Sequence, residues 1–226
     1  MRASSSPTRR AAATLVSFVL LGWRCFAGAA QISATVTDQD GHPLADAVVV
    51  AVPLQGVAPH APSAGREIVD QIDEEFVPRV KAILVGTPVF FPNKDNIRHQ
   101  VYSFSPAKRF ELPLYAGTPA KPVVFDRPGV VVLGCNIHDW MIGYIYVSES
   151  PYFAKTGADG KIVLGDLPAQ TYRVRAWHAR LQGPESATQQ TADLGGNGRA
   201  EMSWKLVLKP EIRIRRAPVP GMRGHY

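Results

Sequence analysis

Short runs of alternating apolar and polar residues recur along most of the chain and predict β-strands rather than helices. Between residues 66 and 149, seven such runs are separated by Gly, Pro, Asn or Asp, a spacing typical of a β-sandwich or Greek-key barrel. Similar runs precede and follow this region, so the whole chain is predicted to be all-β. The predicted strands are 32–37, 47–52, 80–85, 89–91, 100–104, 110–114, 123–126, 130–133, 143–147, 161–164, 171–177 and 200–208.

Three segments between these strands need a separate interpretation. In 68–80 the apolar positions have a short helical spacing before Pro78, which is compatible with a helix or a loop. The segment 52–65 is rich in Pro and Ala and is predicted to be a linker. The sequence at 38–41, Asp-Gln-Asp-Gly, could begin a calcium loop, but no Glu follows at the required distance, so we expect a turn.

Residues 1–29 are predicted to be a cleaved signal peptide. Arg9 and Arg10 form its basic region, the run 11–23 is mostly apolar, and Ala-Gly-Ala at 27–29 matches a cleavage site. The apolar run has 13 residues, whereas a membrane-spanning helix needs roughly 20. We therefore expect a periplasmic or secreted protein with no integral membrane span after cleavage.

The distribution of charge argues against a nucleic-acid partner. The formal net charge is +6, but residues 1–30 carry four arginines and no acid, and the basic tail 209–226 carries a net +4. The body between them is therefore weakly acidic, and it has no stripe of basic and aromatic residues. With 46% hydrophobic and only 19% charged residues, the chain is also too apolar to be disordered.

Removal of the signal peptide leaves Cys135 as a single cysteine, because Cys25 is lost. Thiols in exported proteins usually pair, so an odd cysteine needs an explanation. Three remain open at this point: an intermolecular disulfide, an inert buried thiol, or a metal-bound thiolate.

Candidate metal ligands surround this cysteine. Cys135, His138 and Met141 recur at intervals of three in one loop between two predicted strands, and His99 begins a strand 36 residues before the cysteine. Two imidazoles and a thiolate with a weak axial thioether form a type 1 (blue) copper site. Zinc is the main alternative, but methionine is an uncommon zinc ligand and a structural zinc site would favour more cysteines. We therefore expect one type 1 copper ion.

Catalysis is not expected. Cys135 and His138 could act as nucleophile and base, but such a pair needs a third, orienting group, and the adjacent Asp139 is expected to point elsewhere. A copper ion without an open coordination position transfers electrons rather than oxygen atoms. His178, after a predicted strand, is interpreted as a structural histidine.

The expected function is one-electron transfer between a redox protein donor and acceptor, such as a dehydrogenase or a cytochrome. Electrons are expected to pass through an exposed edge of His138, in an apolar patch with Ile137 and Trp140. Two other functions stay open. The chain could be a periplasmic copper-handling or sensing protein, or a β-sandwich binding or scaffold module with a vestigial metal site.

Several segments of the central region resemble a known family. The segments 90–95 (FFPNKD), 101–105 (VYSFS) and 134–141 (GCNIHDWM), together with His99, are similar to the plastocyanin-like cupredoxins labelled methylamine utilization proteins. The Cys-x-x-His-x-x-Met loop resembles that of amicyanin. The resemblance implies a Greek-key cupredoxin domain at 66–149, with His99, Cys135, His138 and Met141 as its four copper ligands.

The flanking regions carry a second resemblance. The segments 32–38 (ISATVTD), 41–49 (GHPLADAVV), 156–161 (TGADGK) and 167–174 (LPAQTYRV) are similar to a carboxypeptidase regulatory-like, transthyretin-type sandwich. This resemblance implies a discontinuous second β-sandwich, immunoglobulin-like or transthyretin-like in type, made of 30–65 and 150–208. The cupredoxin domain would then be an insertion at one of its exposed loops, where insertions are tolerated.

Overall fold

The computed structural model describes residues 30–56, 66–119, 121–196 and 198–211. The predicted signal peptide 1–29, most of the predicted linker and most of the basic tail lie outside the described residues. Among the residues described, no helix is long and apolar enough to cross a membrane.

The fold is all-β, as predicted from the sequence. One short 3-10 helix, Glu185–Thr188, interrupts the strands. The strands are β1 (Ala30–Asp38), β2 (Val48–Pro53), β3 (Glu67–Ile68), β4 (Asp70–Ile72), β5 (Glu75–Val77), β6 (Val80–Leu84), β7 (Thr87–Phe90), β8 (His99–Ser105), β9 (Lys108–Tyr115), β10 (Val123–Phe125), β11 (Gly129–Gly134), β12 (Ile142–Ser148), β13 (Phe153–Lys155), β14 (Lys161–Leu167), β15 (Thr171–Trp177), β16 (Gln190–Asp193) and β17 (Arg199–Leu206).

The central part of the chain forms one sandwich from two sheets. A five-stranded sheet has the order β6-β12-β11-β8-β9, and a three-stranded sheet has the order β10-β7-β3. Apolar side chains of both sheets, such as Val101, Phe125 and Leu133, form one buried cluster that also contains Cys135 and Met141. The cysteine and methionine of the candidate metal loop are therefore part of this core.

The flanking parts of the chain form a second sandwich. Its sheets have the orders β14-β1-β17 and β13-β2-β15-β16. Along β1, buried and half-buried residues alternate, because one face of the strand covers a core that includes Ile32, Ala34 and Val36. The strands of this sandwich come from both sides of the central region in the sequence. The division into a discontinuous domain, 30–65 with 150–208, stays a prediction about independent folding.

Strand β2 explains how the two sandwiches meet. Four successive residues of β2 are buried, whereas a strand with one solvent face would alternate. Val49 and Ala51 belong to the core of the second sandwich, and the alternating residues Val48 and Val50 face the first sandwich. The cluster joining the sandwiches consists of Val48, Val50, Val80, Tyr146 and Trp177. The Tyr146 and Trp177 rings are 5.5 Å apart between centroids.

The segment 68–80, left open as helix or loop, is a β-hairpin formed mainly by β4 and β5. Its tip residues Asp73 and Glu74 have φ angles of 53° and 61°, a region that β-hairpin turns use but that non-glycine residues rarely adopt. Aspartate tolerates such angles, but Glu74 stands where these turns usually have glycine, so the local sequence gives only a weak hairpin signal.

Gly160 provides a test of the second sandwich. Its φ is 68°, and a Cβ atom there would lie 2.5 Å from the carbonyl oxygen of Val36 and 3.0 Å from the amide nitrogen of Leu44. Gly160→Ala is therefore expected to lower the free energy of unfolding by about 2 kcal/mol or more. Gly165→Ala, where a Cβ would meet nothing within 4 Å, should change it by about 0.5 kcal/mol at most. Equal urea midpoints for the two variants would show that Gly160 is not packed against Val36 and Leu44 as described.

His178 gives the fold a dependence on pH. Burial lowers the pKa of His178 to about 4, and the nearby Arg180 and Arg79 act in the same direction against Asp46 and Glu211. An unfolded histidine titrates near 6.5. Between these values the unfolded chain binds a proton that the folded chain does not, so stability is lost as the pH falls from about 6.5 toward 4.

Substitution of this histidine should reduce that dependence. Nδ1 of His178 accepts a hydrogen bond from the Arg180 amide at 3.2 Å, and an asparagine side chain offers an oxygen acceptor there. Between pH 7 and pH 5, His178→Asn should lose about 1 kcal/mol less unfolding free energy than the natural protein, after allowance for solvent screening. Urea unfolding at both pH values measures the difference, and parallel losses would show that His178 is not responsible.

Candidate metal centre

Two elements of the first sandwich bring the predicted ligands together. His99 is the first residue of β8, and Cys135 directly follows β11. His138 and Met141 lie in the loop between β11 and β12, where the Met141 amide donates to the His138 carbonyl oxygen at 3.0 Å. Because β8 and β11 are paired in the same sheet, the start of one strand lies beside the end of the other.

The residue before the cysteine is glycine for a steric reason. Gly134 pairs with Tyr102 across β11 and β8. A Cβ atom at Gly134 would lie 2.8 Å from the Tyr102 ring, closer than real Cβ atoms approach. The absence of a side chain therefore lets the aromatic ring lie against the backbone immediately before Cys135.

The two histidines and the cysteine form a compact, buried group of donors. One donor atom from each of His99, Cys135 and His138 lies within 4.8 Å of the others. The Cys135 Sγ to His99 Nδ1 distance is 3.9 Å. Two donors that bond one ion at about 2.0 and 2.3 Å, at roughly 120° to each other, would lie about 3.7 Å apart. The observed separation therefore suits a shared ion.

Nδ1 of His138 supports the same interpretation. This atom is buried and has no hydrogen-bond partner among the described residues. Leaving a buried polar atom unpaired costs about 1–3 kcal/mol, so such an atom in a protein core needs an explanation. An ion bound beside Cys135 would provide the missing partner.

Met141 is the fourth candidate ligand, because it is buried in the same core as Cys135. It is only 1% exposed and belongs to the same apolar cluster as Cys135. Soft sulfur donors with imidazoles favour copper, whereas a structural zinc site normally contains more cysteines and no methionine. The residues present therefore suit copper, and His99, Cys135, His138 and Met141 are the ones that would hold it.

One important contact escaped the sequence analysis. Nε2 of His99 lies 2.7 Å from Oδ2 of Asp95, so the ring nitrogen that faces away from Cys135 is bound to a carboxylate. Burial raises the pKa of the Asp95 carboxyl, but the hydrogen bonds it accepts outweigh this effect and leave its pKa below the usual value. Asp95 is therefore ionised at neutral pH. Its spacing of four residues before His99 was the only signal in the sequence.

His138 is largely buried, and only a small part of its surface reaches solvent. The residue is 9% exposed, and its ring is covered on one side by Trp140, with centroids 5.0 Å apart. Oε2 of Glu74, at the tip of the β4–β5 hairpin, lies 3.8 Å from its Nε2. Ile137 is exposed as expected, at 52%. Both Trp140 and the tip of the β4–β5 hairpin therefore lie against this imidazole.

A groove on the outer face of the five-stranded sheet reaches the candidate site. It has a volume of about 440 Å³, and Cys135 and Met141 are among the residues that line it. Its lining also includes the apolar side chains of Phe104, Val132 and Ile142 and the polar residues Ser105 and Asp139. Phe104 is 74% exposed, so a large apolar side chain is exposed to solvent close to the candidate ligands.

Comparisons with protein-family models and with curated proteins give no match to this chain. Solved structures align with part of it. A copper-containing nitrite reductase from Thermus scotoductus is 28% identical over 44% of this chain and 27% of the reductase, with a TM-score of 0.36.

Two smaller proteins align over almost their whole length. A purple cupredoxin from Nitrosopumilus maritimus is 26% identical over 37% of this chain and 99% of its own, with a TM-score of 0.32. A reduced amicyanin mutant is 18% identical over 44% of this chain and 98% of its own, with a TM-score of 0.34. These partial alignments have low TM-scores, so the assignment of the centre depends on its own donors. Fold and site define a β-sandwich with a candidate copper centre.

Proposed function

We propose that this chain is a type 1 copper protein that carries single electrons between redox partners. The observation that carries the proposal is the buried group formed by His99, Cys135 and His138, whose donor atoms lie within 4.8 Å of one another. Met141 is in the same loop and the same core cluster as the cysteine. This combination of one thiolate, two imidazoles and a thioether is the donor set of blue copper sites.

The residues of the chain have distinct roles in this proposal. A bound copper ion would supply a one-electron couple between Cu(II) and Cu(I). The Cys135 thiolate and the two imidazoles suit both oxidation states, and the Met141 thioether donates only weakly. Cys135 is 3% exposed and lies in an apolar cluster, and this burial would protect the thiolate from exchange and oxidation.

The same features argue for electron transfer rather than catalysis. Cys135 is 3% exposed and lies within an apolar core, which does not suit a nucleophile that must reach a substrate. The Glu74 carboxylate is 3.8 Å from Nε2 of His138, beyond hydrogen-bond distance, so His138 lacks the orienting bond of a catalytic triad. We therefore propose that the protein is not an enzyme.

The partners and location follow from the proposed chemistry. A one-electron carrier needs a redox protein that donates and another that accepts, such as a dehydrogenase or a cytochrome. An exported location suits the proposed signal peptide at 1–29, which lies outside the described residues, and the presence of a single thiol after its removal.

The visible spectrum of the copper-loaded protein tests this proposal. Addition of Cu(II) should produce an intense blue thiolate-to-copper band that cycles reversibly with a reductant and an oxidant. Cys135→Ser should abolish the band, because a hydroxyl is not a soft donor. His178→Asn, which changes a histidine outside the site, should retain it.

Other results of copper loading, measured by the spectrum or by a chelator, would contradict this function or favour a different one. A colourless protein after Cu(II) addition would contradict a type 1 site. Rapid transfer of Cu(I) to a chelator would favour a copper-handling or sensing protein, and failure to take up copper would favour a scaffold module with a vestigial site.

Replacement of Met141 tests its proposed role as the weak donor. Met141→Leu conserves volume in a closely packed core, so the fold should be retained. Loss of the thioether should weaken Cu(II) binding more than Cu(I) binding and raise the reduction potential. A tenfold change in relative affinity corresponds to about 59 mV, which voltammetry resolves. Complete loss of copper binding, or an unchanged potential, would contradict the role of weak donor.

A further inference from the structure

The tip of the β4–β5 hairpin is fastened to a metal-ligand candidate through one carboxylate. Oδ1 of Asp95 accepts the amide of Asp73 at 2.7 Å, and Oδ2 accepts the amide of Glu74 at 2.9 Å. Oδ2 is also 2.7 Å from Nε2 of His99. One side chain thus joins the hairpin tip to the imidazole that faces Cys135.

The unusual backbone of the tip indicates that this contact is strongly determined. Asp73 and Glu74 both have positive φ angles, a conformation that persists in non-glycine residues only where the surroundings impose it. Asp95 accepts both of their amides. The Asp95 amide is itself fixed, since it donates to Oδ1 of Asn93 at 3.0 Å, and Asn93 is 5% exposed.

We propose that Asp95 is a positioning residue for the copper site. It holds His99 in the tautomer with the proton on Nε2, so that the lone pair of Nδ1 is directed toward Cys135 Sγ, 3.9 Å away. The hairpin tip locks the carboxylate in place by donating two amides to it. The metal in this inference rests on the proposed function, but the tautomer does not.

The position requires a carboxylate rather than an amide. Three N–H groups point at the Asp95 side chain, and an ionised carboxylate has acceptor sites for all three. An asparagine has one acceptor oxygen, and its NH₂ group would face at least one of these donors. Asp95→Asn is therefore nearly isosteric but cannot satisfy the three donors together.

The carboxylate also affects the electronic properties of the ligand. A carboxylate that accepts the distal N–H of a metal-binding histidine fixes the ring and raises its basicity. A more basic imidazole stabilises Cu(II) more than Cu(I). Asp95 should therefore lower the reduction potential of the centre, and its neutral replacement should raise it.

The first test measures the metal-free protein expressed from the full sequence. Nitrogen-15 NMR of the imidazoles should show His99 as the Nε2–H tautomer at a pH where the ring is neutral. In Asp95→Asn this preference should be lost or weakened. Asp126→Asn should leave His99 unchanged, because that carboxylate is bound to Lys108 instead. An Nδ1–H tautomer of His99 in the natural protein would overturn the proposal without any variant.

The second test measures the copper-loaded protein. Asp95→Asn should bind Cu(II) about 10–100-fold more weakly, and each tenfold loss of Cu(II) over Cu(I) affinity would raise the potential by about 59 mV. Unchanged affinity and potential, with Asp126→Asn as the reference, would overturn the proposed role. If the natural protein gives no thiolate band with Cu(II), the proposed function fails, whereas the tautomer of His99 still decides the role of Asp95.

Discussion

The burial of one thiol and two imidazoles in an apolar core is the constraint on which the rest of the first sandwich depends. Each buried ring nitrogen needs a partner, because an unpaired polar atom in a core is costly. Nε2 of His99 has Asp95 as a partner, but Nδ1 of His138 has none among the described residues. A bound ion is the simplest way to satisfy the donors that converge on Cys135. The loop 135–141 supplies three of the four candidate ligands, so less conformational entropy is lost in bringing the ligands together.

The surroundings of the site are suited to keeping these donors still. Tyr115 donates its hydroxyl to the Phe91 carbonyl oxygen at 2.5 Å, and the buried Gln71 donates to the same oxygen at 3.1 Å. Asn93 donates to the carbonyl oxygens of Ile97 and Tyr115. The loop that leads to His99 is thus tied to β4 and β9 at several points. Fixed donors favour electron transfer, since little has to move when the charge at the centre changes, and this supports the proposed function.

The sequence predicted much of this protein, and the exceptions have physical reasons. Strand periodicity indicated an all-β chain and the central sandwich, and a family resemblance implied the second one. Residue chemistry with regular spacing grouped Cys135, His138 and Met141 as a set. His99 was found because it begins a strand. The β4–β5 hairpin was not found, because Glu74 has a positive φ at a turn position that usually carries glycine. That conformation depends on Asp95, about 22 residues away, and a local pattern cannot reveal such a contact.

Elements outside the ligand loop leave little of His138 exposed. Ligand spacing determines which residues converge, but the covering of the ligands depends on neighbouring elements. Here the hairpin places Glu74 beside His138, and the ring of Trp140 covers it further.

The second sandwich occupies part of the outer face of the five-stranded sheet. Strand β12 connects the two regions, because it begins directly after Met141 and carries Tyr146 into the contact with Trp177. The groove at Phe104 and Val132 lies on the same sheet and stays open toward Cys135. Under the proposed function, a partner's access therefore depends on two features that no ligand motif encodes. These are the face left uncovered by the second sandwich and the hairpin tip that covers His138.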